Sequence, residues 1–458
     1  MLTNKTAKAL ALGTLTTLSS VTVQADEQQL LDMLLKNGTI NQSQYDELSQ
    51  PKAPVKSVSK QKVVSHSDTG NVKVSVGEKG LKVETADKQF KFQFGGRLQM
   101  DANGDVGDDK LSQRSTEGVE MRRARLYMKG VVWGDYKYMI EADFADNTVA
   151  VKDAFLTYKG FDGLEITIGH QKKPISMELQ ESSNDIMFTE RSTVNVLTAP
   201  AFDRAIGLHF KSSDKDWSAQ IGFYGDSMAP EKNGNVDEGW AVASRLTYAP
   251  INTKTQVLHI GAFGGYKGFS SANSRIKFSS ETTHMSNLKL TNVSVDKVNG
   301  VGIAGIEAAY MFGPFSAQSE YAHEWVTRNS GEKDLDLNAV YVQLAWTLTG
   351  ESRKYKGSDG EFKYLKPAEQ FSWQNGTWGA VELASRYGLS DIAYGSYSKG
   401  TREQDITVAL NWYLNNNVRL MADYRYAFDL AGSAVTNLDG SDLTNGIHSF
   451  TFRTQFKL

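Results

Sequence analysis

Residues 119–130 read VEMRRARLYMKG, so Arg122, Arg123 and Arg125 fall within four consecutive positions of a stretch whose apolar residues alternate. Ala124, Leu126, Met128 and Val132 share one face, while Arg123, Arg125, Tyr127 and Lys129 share the other. A guanidinium group stays charged and donates paired hydrogen bonds to two oxygens of a carboxylate or phosphate. A wet face carrying several of them is therefore suited to attracting small oxyanions. Arg97, Arg245, Arg386, Arg419, Arg425, Arg453 and Lys457 follow the same rule, each opposite the apolar face of its segment. Arg122 breaks the parity near the start of its segment, where a β-bulge or a loop junction would turn it to the polar side. The competing reading pairs these cations with Glu141, Asp143, Glu382 and Asp423 for stability alone.

Other chemistry finds little support in the residue types. Cysteine is absent, which removes thiol nucleophiles, thiolate metal sites and disulfides. The seven histidines, at 66, 170, 209, 259, 284, 323 and 448, occur in neither a zinc-protease nor a nucleophile-elbow context. DANGDVGDDK at 101–110 resembles part of a calcium loop but lacks its terminal glutamate. The expectation is a non-enzyme with no cofactor and no metal. Nucleic acid is not an expected partner, because the chain is acidic overall and its basic residues are spread over many segments.

The segments that position these arginines have a period of two from residue 71 onward. In FKFQFGGRLQMDA (90–102), Phe90, Phe92, Phe94, Leu98 and Met100 alternate with Lys91, Gln93, Arg97, Gln99 and Asp101. The pattern recurs at 122–132, 136–144, 150–158, 164–169, 204–211, 217–224, 240–248, 257–266, 301–310, 315–325, 338–347, 379–387, 406–414, 418–427 and 449–458, giving 16 expected strands. Short polar turns such as 133–136, 160–163, 212–216, 312–315 and 415–417 close one end. Long stretches at 103–118, 170–203, 225–239, 267–300, 327–337, 388–405 and 428–447 close the other. Two joints fit less well: 145–149 is brief for a loop and 348–378 is long for a turn. An even strand count with this asymmetry is the layout of a 16-stranded antiparallel transmembrane β-barrel over 71–458. Trp133, Tyr136, Trp325, Trp378, Trp412 and Tyr413 lie near strand ends, where interfacial aromatic girdles belong. The last strand, HSFTFRTQFKL, is amphipathic to its final residue and suits a strand that closes the barrel without a free edge.

The first 70 residues read differently. Lys5 and Lys8 precede a short apolar stretch around Ala9–Leu18, then Val23-Gln24-Ala25, the layout of a secretory signal peptide (1–25) cleaved after Ala25. The remaining chain holds 48 basic and 53 acidic residues. Leu30, Leu31, Leu34 and Leu35 repeat at helical spacing, so 26–50 is expected to be a short helical periplasmic segment, broken at KNGT and resumed at INQSQYDEL. Residues 51–70 are polar, carry two prolines and read as a linker.

The chain resembles the phosphate-selective porins O and P. The resemblance runs from about residue 72 to the C-terminus and is carried together by GGRLQ (95–99), RRAR (122–125), DYKYMIEAD (135–143), FSAQSEY (315–321), YVQLAWTLTGESRKYK (341–356), WGAVELASRY (378–387) and NWYLN (411–415). It implies a homotrimer of 16-stranded barrels in a bacterial outer membrane, among lipid and lipopolysaccharide. Its third long loop, about 170–203 here, would fold into the channel, and the long connection after 347 is also implied. By position, the family's arginine ladder lands on Arg97, Arg122 and Arg123, its constriction-loop arginine on Arg191, and further basic lumen positions on Arg245 and Arg453. The constriction lysine of strictly phosphate-selective members aligns with Leu179, beside Glu178, and a nearby acidic wall position aligns with Lys152. Lys172 and Lys173 are candidate substitutes within the loop. The expected function is passive diffusion of small anions, phosphate or related oxyanions, through a pore lined by Arg97, Arg122, Arg123, Arg125, Arg191, Arg245 and Arg453. A less selective porin for small hydrophilic solutes, and a structural envelope barrel, are the alternatives.

Overall fold

The computed structural model describes residues 35–38, 41, 42, 44, 45, 66–69, 72–107, 111–226, 237–271, 274–329, 331–433, 435–441, 443 and 446–458. The expected signal peptide, residues 26–34, 39, 40, 43 and 46–50 of the helical segment and 51–65 and 70 of the linker lie outside them. The chain divides into two units, Met1–Lys62 and Val63–Leu458. In the first, a helical turn ends at Gly38, whose φ of 70° is the left-handed conformation that closes a helix. A new turn opens at Asn41: its side chain accepts from the Gln44 amide at 2.9 Å, and the Gln44 side chain accepts from the Asn41 amide at 3.0 Å. These two reciprocal bonds satisfy donors that a helix start leaves unpaired.

In the second unit, sixteen antiparallel strands close into a barrel. They are β1 Lys91–Val106, β2 Gly118–Val132, β3 Tyr136–Asp143, β4 Ala150–Phe161, β5 Leu164–Lys172, β6 Arg204–Ser213, β7 Trp217–Tyr224, β8 Trp240–Asn252, β9 Gln256–Gly268, β10 Val298–Phe312, β11 Phe315–Arg328, β12 Leu335–Thr347, β13 Ala380–Ile392, β14 Thr401–Tyr413, β15 Val418–Ala431 and β16 Ile447–Lys457. Each pairs with its sequence neighbour, and β16 returns to β1 from Lys457↔Arg97 to His448↔Val106. All sixteen expected strands are present. Most run several residues further toward the long-loop end, where the ladder continues into sequence such as Thr401–Asp405 that has no apolar face to reveal it.

The lower end of β1 is forked. Residues 91–94 pair with strand Gly80–Thr85, which continues an antiparallel ladder through Val72–Gly77 to His66–Thr69. Residues 66–69 of the expected linker are therefore strand. The C-terminus needs Gly95 and Gly96 at the fork: the Leu458 amide donates to Gly96 O at 2.9 Å. A Cβ on Gly95 would lie 2.4 Å from the Tyr127 hydroxyl and 2.7 Å from Leu458 O, which accounts for the glycine pair in GGRLQ.

The two faces divide as the alternation requires. Leu98 and Met100 of β1 are exposed outside, while Gln99, Asp101, Asn103 and Asp105 are buried inside. In β16, Phe450 and Phe452 face out, and Thr451, Arg453 and Gln455 face in. At the short-turn end a chain of rings runs Phe90–Trp133–Tyr136–Tyr158–Phe161, with successive centroids 5.1–6.4 Å apart. Phe315–Trp346 and Phe371–Trp412 continue it. Trp240–Tyr266 and Tyr424–Phe450 lie toward the other end. Such rings suit the two polar–apolar boundaries of a membrane.

Three segments fill the lumen. The loop after β5 holds helices α1 (Met177–Gln180) and α2 (Val194–Phe202). From the long-loop end, a hairpin of Arg275–Glu281 and Lys289–Asp296 buries Phe278, Val293 and Val295 against Val194, Leu197 and Phe202 of α2. From the short-turn end, residues 348–379 fold inward. Phe362 packs with Met177, Val257, Ala309 and Met311, while Arg245 donates to Asp359 O at 3.0 Å and Gly360 O at 2.7 Å. The connection that is too long for a turn is a second inserted segment.

Candidate functional site

The loop after β5 is clamped at both ends of α1. The Met177 and Glu178 amides donate to the Glu320 carboxylate at 2.9 and 2.7 Å. At the other end, Lys172 Nζ donates to the carbonyls of Leu179, Gln180 and Glu181 at 2.6–3.1 Å. A carboxylate at a helix start and an ammonium at its end complement the exposed peptide groups there. Lys173 does the same for α2, donating to Ala201 O at 2.9 Å from a fully buried position.

Between the helices the chain runs through a cradle of wall side chains and of Arg353 from the inserted segment 348–379. Gln99 donates to Ser183 O, Gln455 to Asn184 O, Arg353 to Asp185 O, Arg419 to Ile186 O and Asn411 to Met187 O. Arg453 donates to Thr189 O at 2.5 Å, and Arg386 to Glu190 O at 3.0 Å. The Thr189 amide and hydroxyl donate to Asp423 at 2.7 and 2.8 Å. Irregular backbone at membrane depth persists only where its polar groups find partners, and here nearly every carbonyl has its own. Four of the lumenal arginines are thereby committed to the loop rather than to open water.

Two lumenal cavities lie beside this loop among the described residues. One of about 210 Å³ lies against the hairpin, and one of about 830 Å³ is lined from the 145–150 connection to Lys129 and the inserted residues Asp359, Glu361 and Lys363. Arg122, Arg123, Arg191, Asn195 and His284 line both. These five side chains therefore sit where the two cavities meet.

The wall supplies Arg122 and Arg123 through a register defect. Gln99 pairs with Arg123 but Met100 pairs with Met121, so Arg122 is the extra residue of a β-bulge. That resolves its broken parity: the bulge turns its side chain inward beside Arg123. Arg122 forks onto Glu190, Nε to Oε1 at 2.7 Å and Nη2 to Oε2 at 2.9 Å. Arg123 donates to Gln99 Oε1 at 2.8 Å and lies 3.9 Å from Glu190. From the loop, Arg191 donates only to the Glu178 and Glu181 carbonyls, at 3.0 and 2.7 Å, so no carboxylate neutralises it among the described residues. Arg122 and Arg123 thus share the Glu190 carboxylate at the junction, and Arg191 brings a third guanidinium that bonds only to carbonyls.

The remaining expected residues separate into two groups. Arg97 and Arg125 line the larger cavity, but both hold Glu141, at 2.8 and 3.1 Å, and Arg125 also holds Asp143 at 2.7 Å. Leu179 and Lys172 line the same cavity, Lys172 with its ammonium occupied by carbonyls. Arg245, Arg453 and Lys173 line neither cavity. Arg245 is locked on Glu307, with Nη2 at 2.6 Å from Oε1, and Arg453 is forked on Asp101, with both bonds at 2.6 Å. Lys152, a second bulge residue between the Glu141↔Asp153 and Ala142↔Val151 pairs, lines the larger cavity, and its ammonium has no partner among the described residues. Ten Lys and Arg side chains face seven Asp and Glu around that cavity, and five face four around the smaller one. Both lumenal compartments carry a positive excess, which concentrates anions between low-dielectric walls.

Residues 92–458 match the phosphate-selective porin O and P family. The chain belongs to that family. It is an outer-membrane anion porin, and its family and fold point to a channel rather than an enzyme. Porin O of Pseudomonas aeruginosa is 27% identical over 413 residues, covering 82% of this chain and 90% of that protein. Among solved structures, an anion-selective porin from Comamonas acidovorans superposes with a TM-score of 0.52 at 13% identity, over 81% of this chain and 100% of that one. OmpT of Vibrio cholerae, in its trimer form, gives 0.51 at 12% identity, over 81% and 99%. These two similarities concern the fold of the porin barrel.

Four features of this porin's channel escape a reading of the sequence. Glu190, Asn195 and His284 join the arginines at the junction, and the hairpin 275–296 covers one cavity. The hairpin does carry a signal, since Ile276 and Phe278, and Leu290, Val293 and Val295, are apolar within the long stretch 267–300. The side chains at the junction carried none, because their meeting depends on how the loop is tethered.

Proposed function

We propose that small oxyanions, phosphate among them, cross this porin by passing between Arg122 and Arg123 on the wall and Arg191 on the loop. The observation that carries this reading is that Arg122 and Arg123, which share the Glu190 carboxylate, and Arg191, which bonds only to carbonyls, line both cavities where they meet. Arg97, Arg125, Lys129 and Lys152 line the larger cavity beside the junction and hold an anion-attracting field there. Arg245 and Arg453 serve the same path indirectly, by fixing the inserted segments that shape it.

In the same reading the protein works as a homotrimer, as the trimeric OmpT does, embedded in outer-membrane lipid and lipopolysaccharide. Residues 1–25 direct export and are cleaved after Ala25, and 26–50 form a short periplasmic helical segment. Apolar Leu179 beside the junction favours a second, broader reading, in which small hydrophilic solutes also pass. Planar-bilayer recordings separate the two. A reversal potential of anion sign in a KCl gradient, with chloride current reduced by added phosphate, supports the oxyanion path. A reversal potential near zero, with phosphate without effect, supports the broader one.

A further inference from the structure

Glu190 is held in a way that the loop tethers do not require. Its backbone is already fixed: Thr189 is clamped by Asp423 and Arg453, and Glu190 O accepts from Arg386. The carboxylate nevertheless crosses to the wall, where both oxygens are forked by Arg122, Oε1 also accepts from Arg453 Nη2 at 3.1 Å, and Oε2 faces Arg123 at 3.9 Å. Its side chain is 37% exposed, so it reaches this place from the water of the smaller cavity. A planar fork of two N–H···O bonds from a guanidinium is the geometry in which a free phosphate or carboxylate is bound.

We propose that Glu190 is a tethered competitor, a carboxylate of the protein's own that occupies the oxyanion position on Arg122 and sets how tightly permeating oxyanions are held. This rests on the oxyanion path through the junction. Chloride has no pair of oxygens to offer the fork, so it passes in the general positive field and leaves Glu190 in place. Phosphate must displace the carboxylate to be forked by Arg122, and that exchange keeps its residence short. A pore that must release what it binds gains from such a partner, since conduction needs a site that binds weakly enough to let go. Arg191, which lines both cavities and bonds only to carbonyls, holds the incoming anion nearby while the exchange occurs.

The test is phosphate titration of chloride current through the intact protein in planar bilayers, at low ionic strength, for wild type, Glu190→Gln and Glu190→Asp. The amide removes the competing charge, and the shorter acid retracts it from the wall. Phosphate should block Glu190→Gln at least tenfold more strongly than wild type, with Glu190→Asp between them and with a larger anion/cation permeability ratio in Glu190→Gln. Equal or weaker phosphate block in an anion-selective Glu190→Gln pore would overturn the proposal. So would failure of both variants to assemble, since Glu190 would then be a structural partner of Arg122. If the wild type itself shows no anion preference, the oxyanion path falls first, and the two failures are told apart by that control.

Discussion

Arg122 and Arg453 both donate to Glu190 Oε1, at 2.7 and 3.1 Å, yet they belong to different parts of the molecule. Arg122 sits on a bulge with its side chain 16% exposed and lines both cavities. Arg453 sits in regular strand with its side chain 0% exposed, forked on Asp101 and bonded to Thr189 O, and lines neither. The same residue type on the same lumenal face does opposite work in the two places. At the junction, guanidinium groups outnumber their carboxylates and leave charge for a passing anion. Behind the loop, in Arg453–Asp101 and Arg245–Glu307, each has a dedicated carboxylate and a set of loop carbonyls. A lumenal arginine's surplus of charge, and not its facing direction, decides whether it conducts or holds.

The largest effects should come from the holding region. Arg453→Ala leaves Asp101 buried without its partner, and breaking a buried pair in this way costs about 3–5 kcal/mol. The temperature at which the folded electrophoretic band of the extracted protein converts to the unfolded one should drop markedly, and Arg245→Ala should act alike through Glu307. If either variant kept wild-type heat resistance and lost only anion preference, the division between the two regions would collapse.

Next in size is Arg191→Ala. Its guanidinium faces the junction and bonds only to carbonyls, so its removal should lower single-channel conductance and anion preference several-fold in dilute salt, with heat resistance nearly unchanged. Lys152→Gln should do less, because that ammonium lines the larger cavity and not the junction. Its effect on conductance should be about twofold or smaller and should vanish near 1 M salt, where screening acts over about 3 Å. Leu179→Lys should be the mildest. Leu179 is 4% exposed in an apolar seam, so a lysine there must snorkel toward the larger cavity. The expected outcome is a modestly stronger phosphate block, read by titration of chloride current.

These contrasts also mark what the chain discloses before it folds. The barrel is legible because every strand must present one face to lipid and one to the lumen, an obligation that writes itself into alternate residues. An arginine on the lipid face near mid-bilayer would cost roughly 2–4 kcal/mol, which is why Arg122, out of parity, already pointed to a bulge. The strand ends beyond the apolar band lacked that obligation and ran longer than the pattern. The channel itself was legible only in part. Parity places Arg123, Arg245, Arg386, Arg419 and Arg453 alike on the inside, but which of them meets water depends on where residues 183–191 and, for Arg245, 359–360 lie. That path is set by hydrogen bonds to carbonyls, which every residue type offers equally. Glu190 was unremarked for the same reason: next to Arg191 in TERS it is an ordinary loop acid until the loop crosses to the bulge.

The account rests on anion preference being set at the junction by wall arginines that the fold can spare. Its most direct test is the reversal potential of the Arg122→Ala, Arg123→Ala double variant in a KCl gradient at low salt, beside wild type. Each guanidinium removed takes away roughly 1 kcal/mol or more of attraction for a nearby anion. The predicted result is a reversal potential moved most of the way toward zero in a protein that still assembles and resists heat, with the difference shrinking as salt is raised. A double variant that keeps the wild-type reversal potential, or that loses its fold before its selectivity, would contradict it.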